Sequence, residues 1–203
     1  MAPWKIGCLS VIGIVLLSGL MFGCEVSSKF VGLKQKNNAC DESMANVLSV
    51  YQRRHDLIPN LVNTVKGSSN FEHDTLKDVI EARRQVTNLN VNASDPKSLE
   101  KFMNAQNGLT VATTNLANFV REKYPKLAST ALYVGLMAQL EGTENRANVE
   151  RQNYNARVRE LNDDLVTITG SLANIFAHVE KRKMWEVSAA AQETPVVDFE
   201  KKK

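Results

Sequence analysis

The chain has 203 residues, 43% of them hydrophobic and 23% charged, with a formal net charge of +3 at neutral pH. That length allows one ordinary domain plus an anchor. Because the excess positive charge equals the contribution of Lys201, Lys202 and Lys203, the rest of the chain is balanced, and charge indicates no nucleic-acid face.

Residues Ile6 to Phe22 carry no charge and are interrupted only by glycine, serine and Cys8. Their number lies near the lower bound of the roughly 17 to 25 residues a helix needs to cross a bilayer. Two readings stand. The segment is an uncleaved membrane helix, or Gly23-Cys24 is a lipoprotein processing site at which Cys24 is acylated, with Met21 where leucine is usual and a bulky Phe22. Either reading tethers the chain to a membrane. Lys5 on one side against Lys29, Lys34 and Lys36 on the other biases the domain weakly toward the cytoplasm, whereas an acylated Cys24 would place it outside. Cys8 and Cys24 lie within or at the end of the anchor and only Cys40 remains in the soluble part, so no disulfide framework is encoded there. The expected partition is an anchor or lipoprotein signal over 1–28, a linker or helix continuation over 29–40, a helical bundle over 41–186 and an extended tail over 187–203.

Met44, Leu48, Tyr51, Ile58, Val62 and Val65 recur at helical spacing, with His55 in the stripe where an apolar residue is missing. A helix is expected from about Asp41 to Asn88. Pro59 should kink it near residue 56 or restart it there with Asp56 as the cap, and Gly67-Ser68-Ser69-Asn70 marks a second weak point. Asn90 to Pro96 reads as a loop, with Asp95 and Pro96 placed for a helix start. The next helix, Lys97 to Lys123, buries Leu99, Phe102, Met103, Leu109, Val111, Leu116, Phe119 and Val120 and ends at Tyr124-Pro125. From Lys126 a long helix carries Leu127, Leu132, Leu136, Leu140, Val149, Val158, Leu161 and Leu165. A final helix over about Ser171 to Met184 turns Leu172, Ile175, Phe176 and Val179 inward. No strand alternation is sustained, so the fold class is all-α: an up-and-down antiparallel bundle of about four helices behind an N-terminal membrane helix.

Two runs are distinctive: Arg53-Arg54-His55-Asp56-Leu57-Ile58-Pro59-Asn60-Leu61-Val62-Asn63-Thr64-Val65-Lys66-Gly67, and Tyr124-Pro125-Lys126-Leu127 followed by Leu136 to Arg146. With Tyr154-Asn155 and the closing Pro195-Val196-Val197-Asp198-Phe199, they resemble the LemA family of bacterial proteins over roughly residues 41 to 199. The chain departs from the family pattern in having no proline in Leu165 to Gly170, and Met44 where a tryptophan is usual. The resemblance implies an amino-terminal membrane segment followed by a helical bundle in the bacterial cell membrane. It implies no biochemical activity, since the family has none agreed.

None of His55, His73 and His178 lies four residues from another, and none follows a glutamate by three, so neither a zinc helix nor a carboxylate-bridged di-iron site is encoded locally. The three consecutive residues Glu72-His73-Asp74 point about 100° apart on a helix and cannot share a metal; they read as a solvated face. His55 is either a pH-sensitive or ligand-facing group or a satisfied amphipathic filler at the helix bend. No nucleophile elbow, phosphate loop or dinucleotide fingerprint occurs. No catalytic residue, metal ligand or cofactor is therefore assigned. The motif residues singled out are Arg53, Arg54, Asp56, Pro59 and Asn60 in the first run, and Glu141, Glu144, Asn145 and Arg146 in the second. They form a structural clasp, with Arg54 and Glu144 as candidate partners, or a docking surface. The expected function is a membrane-tethered, non-catalytic scaffold for other membrane or envelope proteins. The alternative is a sensor that holds a small apolar ligand between helices.

Overall fold

A computed structural model describes the backbone of residues 3–67, 73–92 and 94–186, and the side chains of 13–67, 76–92 and 94–186. The expected tail over 187–203, with its Pro195 to Phe199 pattern, lies outside the described residues, as do Ser68 to Glu72 and the side chains of Cys8, His73 and Asp74. Six helices and no strand occur among the described residues, so the fold is all-α. They are α1 (Pro3–Lys66), α2 (His73–Thr87), α3 (Pro96–Lys123), α4 (Pro125–Ala128), α5 (Ala131–Val166) and α6 (Ile168–Ala177).

Helix α1 is one element of 64 residues. At about 1.5 Å rise per residue such a helix is roughly 95 Å long. Residues 29–40 continue the helix rather than forming a linker, and Pro59 sits inside it, so the expected restart with Asp56 as cap does not occur. Helical structure gives way at Gly67 instead. The buried positions explain why α1 stays helical through a proline: Leu33, Cys40, Met44, Val47, Tyr51, Arg54, Ile58, Leu61 and Val65 fall on one seam at alternating spacings of mostly three and four. The seam passes through Arg54 with His55 half-buried beside it: Val47 is buried where the sequence suggested Leu48, and both Leu61 and the expected Val62 are buried.

The chain divides into two compact units, each a helix bundle. The first comprises Met1–Gln52, Ala93–Pro96 and Glu144–Lys183. In it α5 runs antiparallel to α1: Arg151 meets Tyr51 at 2.9 Å, while Asp164 meets Lys36 at 2.6 Å and Lys29 at 3.3 Å. Ala147, Tyr154, Val158, Leu161 and Leu165 are the buried face of this part of α5, and Val149 is off it. The second unit comprises Arg53–Asn92, Lys97–Thr143 and Met184–Lys203. There His55 meets Thr87 at 2.7 Å, which sets α2 antiparallel to the end of α1, and Leu99, Phe102, Leu109, Leu116 and Val120 of α3 fill the core. Val111, expected inside, is 59% exposed, and Gln106 takes a buried place. Trp185 packs edge-on against Phe102 with ring centroids 6.0 Å apart.

The long helix expected from Lys126 is split. Residues 125–128 form a single turn, Ser129 and Thr130 break it, and α5 starts at Ala131, with Leu132 exposed and Tyr133 buried. The last helix is shifted. Thr167 caps α6, accepting from the Gly170 amide at 3.0 Å, and His178 ends it in the left-handed conformation at φ 51°. The Asn174 side chain brackets the stop, donating to the Val179 carbonyl at 3.0 Å and accepting from its amide at 2.8 Å. Leu172, Ile175 and Phe176 therefore face out, contrary to expectation, and Gly170, Ala173 and Ala177 face in, with Val179 buried beyond the helix end. Gly170 faces in because only a residue without a Cβ fits against the Asp164 carbonyl at the end of α5, and Ala173 and Ala177 follow it on the same face.

Candidate functional site

In the first unit the polar chemistry gathers where α1, the end of α5 and the chain after α6 meet. Arg182 has a nearly buried side chain, 4% exposed. Its Nη1 donates to Asp41 at 2.7 Å, and its Nε and Nη2 donate to Asn37 Oδ1 at 3.2 and 2.9 Å. Asn162 holds the backbone of the same residue from both sides, donating to its carbonyl at 2.9 Å and accepting from its amide at 3.0 Å. The extended segment 178–186 is thereby tied to two helices without a helix or strand of its own. Beside this node Tyr154 is fully buried, with its hydroxyl donating to the Lys183 carbonyl at 3.1 Å. Burial pushes that phenol up to about 12. Burial likewise raises the Cys40 thiol, which has the chemistry of a small core residue and not of a nucleophile.

A groove of about 480 Å³ between α1 and α5 is lined by Glu42, Ser43, Asn46, Glu150, Asn153 and Arg157, among others. A second, of about 300 Å³, adjoins Lys36, Arg157 and Glu160. The first is walled mainly by carboxylates, amides and a cation and suits a polar ligand, whereas the second, which Gly32 and Ala39 also line, offers more apolar than polar surface.

The residues singled out in the sequence divide by exposure. In the second unit Arg54 is 4% exposed and donates to Thr110 at 2.9 Å, while Arg53, Asp56 and Asn60 are exposed and share one face of α1. Pro59 is half-buried, and Glu141 is exposed. In the first unit Glu144 accepts from Arg151 at 3.2 Å, and Asn145 and Arg146 are exposed. His55 is held by Thr87, with Asp56 3.7 Å from Nδ1, and its pKa is lowered, first by burial and then by Arg83. Sequence reasoning missed Arg182, Asn37, Asp41, Asn162 and Asp164. Arg182 lies in the run Glu180-Lys181-Arg182-Lys183, which reads as a solvated charge cluster, and no local signal separates it from its neighbours. No group of three or more metal-ligating side chains converges among the described residues.

A model of the LemA family matches residues 43–199, a span that contains α1 from Ser43 onward and every later helix. The chain belongs to the LemA family. It is 22% identical over 157 residues to Protein LemA of Metamycoplasma hominis, an alignment covering 77% of this chain and 68% of that protein. The matched region excludes the apolar start of α1, which is long and apolar enough to cross a membrane and has none of its apolar stretch buried within the structure.

Proposed function

We propose that this LemA-family chain is a membrane-tethered, non-catalytic scaffold that presents its helical surface to other membrane or envelope proteins. The observation that carries the reading is the continuity of α1. The exposed apolar stretch, with Ile14, Leu17, Leu20 and Met21 all more than 60% exposed, is the same helix that supplies the core seam from Leu33 onward. Large apolar side chains on a helix without a protein partner belong in lipid. A helix with no flexible joint between anchor and bundle holds the first unit at a set height and orientation on the bilayer, which suits presentation more than free reach.

Fractionation tests the tether. The full chain should sediment with membranes and resist both salt and carbonate; recovery in the soluble fraction would sink the reading. Cys24 is exposed, so acylation is sterically open to it. Cys24→Ser leaves attachment unchanged if α1 itself is the anchor, and abolishes labelling by a fatty-acid probe if the chain is a lipoprotein. For the scaffold role, Arg53→Ala combined with Asp56→Ala and Asn60→Ala should remove co-purifying membrane proteins from gently solubilised membranes without changing the melting temperature. Retention of every partner would argue against this face.

A further inference from the structure

Helix α6 is built inside out for a protein surrounded by water. Its small residues Gly170, Ala173 and Ala177 are buried, whereas Ile168 is 81% exposed, Ile175 63%, Phe176 72% and Leu172 38%. Positions 168, 172, 175 and 176 fall on one helical face, Val166 continues the patch at 65% exposure, and residues 168–177 carry no charge. Isolated exposed apolar residues are ordinary, but a contiguous uncharged face of this kind marks a contact with something apolar.

The place of α6 in the first unit identifies that contact. Helix α5 descends antiparallel along α1 toward its apolar end, reaching Lys36 and Lys29 through Asp164. The chain then forms α6 and returns to α1 at Asn37 and Asp41 through Arg182. Helix α6 is therefore the turn at the end of the unit nearest the apolar stretch. Lys29 lies seven residues beyond Phe22, a rise of about 10 Å, and the headgroup layer is roughly 5 to 8 Å thick on each side of the hydrocarbon. A headgroup layer starting at Phe22 would stop short of Lys29, but Ile6 to Phe22 covers only about 25 Å, so a hydrocarbon core of about 30 Å entered at Ile6 ends near Glu25 and its headgroups reach Lys29, about 6 Å further on, where α5 hands the chain to α6.

We propose that α6 is an interfacial helix, with Ile168, Leu172, Ile175 and Phe176 seated at the headgroup–acyl boundary of the leaflet through which α1 emerges. The proposal rests on the membrane tether argued above and adds a second, peripheral contact to it. Two contacts, one spanning and one lying flat, fix the tilt of the first unit on the bilayer, which a single helix leaves free.

The test uses the full chain purified from membranes and reconstituted into phosphatidylcholine–phosphatidylglycerol vesicles. Phe176→Trp is compared with Val149→Trp, a change at an exposed apolar position of α5 seventeen residues before Val166, where a larger side chain has room. Emission above that of the parent chain is followed in vesicles that float. The emission added by Phe176→Trp should be blue-shifted and quenched by lipids brominated high on their acyl chains. That added by Val149→Trp should be quenched by iodide in the water and indifferent to bromine. Iodide quenching at both positions in floating vesicles overturns the interfacial helix and leaves the tether intact. A blue shift without bromine quenching also overturns it, since a second copy or another protein would then cover the face. Failure to float removes the tether, and the proposal falls with it.

Discussion

Nη1 of Arg182 lies 2.7 Å from Oδ1 of Asp41, so a guanidinium near the end of the described chain is held by the helix at its beginning. Arg182 is almost wholly enclosed, whereas the Asp41 side chain is 54% exposed. The enclosed partner should matter more. Arg182→Met is expected to lower stability by about 2 kcal/mol, since it removes hydrogen bonds to a charged group and leaves Asn37 with nothing to accept from. Asp41→Ala should cost less than half of that, because water can replace the carboxylate. Equal losses in thermal melts would contradict the burial argument.

Asp164 sits between two cations, and its carboxyl is held below the usual carboxylate range, first by the Lys36 hydrogen bond and then by Lys29. A depressed folded value means the stabilisation is complete above the unfolded carboxylate value of about 3.9 and is lost as pH falls through the lower folded value. Both lysines are more than a third exposed, so the pair contributes at most about 1 kcal/mol. Asp164→Asn should lower the melting temperature at pH 7 and converge with the parent near pH 2. A constant gap across that range would assign the effect to packing.

Arg54 and Arg53 are neighbours in sequence with opposite surroundings, one 4% exposed and bonded to Thr110, the other in solvent. Arg54→Glu should destabilise by about 3 kcal/mol or more, because it places an uncompensated anion in the seam of α1. Arg53→Glu should stay within about 0.5 kcal/mol of the parent. Denaturant midpoints decide it, and similar losses for both would mean that the seam does not run through Arg54. Glu144→Arg, which would face Arg151 with like charge, should cost about 1 kcal/mol at this half-buried site.

Gly170 allows α6 to pack back onto the end of α5. A Cβ there would stand 1.9 Å from the Asp164 carbonyl oxygen, nearer than any real contact and against backbone that cannot swing aside. Gly170→Ala should therefore cost about 1 to 3 kcal/mol by forcing the α5–α6 turn to open. A parent-like melting curve would show that α6 can shift freely.

Much of the architecture was legible in the sequence because helical periodicity and terminal signals are local. The apolar run at the start, Pro96 at the head of α3, Tyr124-Pro125 at its end and the buried series Leu136, Leu140, Val158, Leu161 and Leu165 each follow from spacing or from the chemistry of one residue. The errors arose where two local signals competed. Pro59 argued for a break, yet the seam from Met44 to Val65 buries enough apolar surface to keep the helix continuous across a missing amide.

What the sequence by itself determined is the all-α class, the apolar amino-terminal helix and the family-like runs, because each depends on residues within a few turns of one another. Only the tertiary structure decided that Arg54 belongs to the core and Arg53 to solvent, that Arg182 closes onto Asp41 and Asn37, and that α6 turns its large apolar residues outward. A charged side chain is solvated or enclosed according to what the fold brings against it from distant sequence. A helix presents one face or another according to which of its residues let a neighbouring element approach, as Gly170 does for the end of α5. Neither is a property of composition or period.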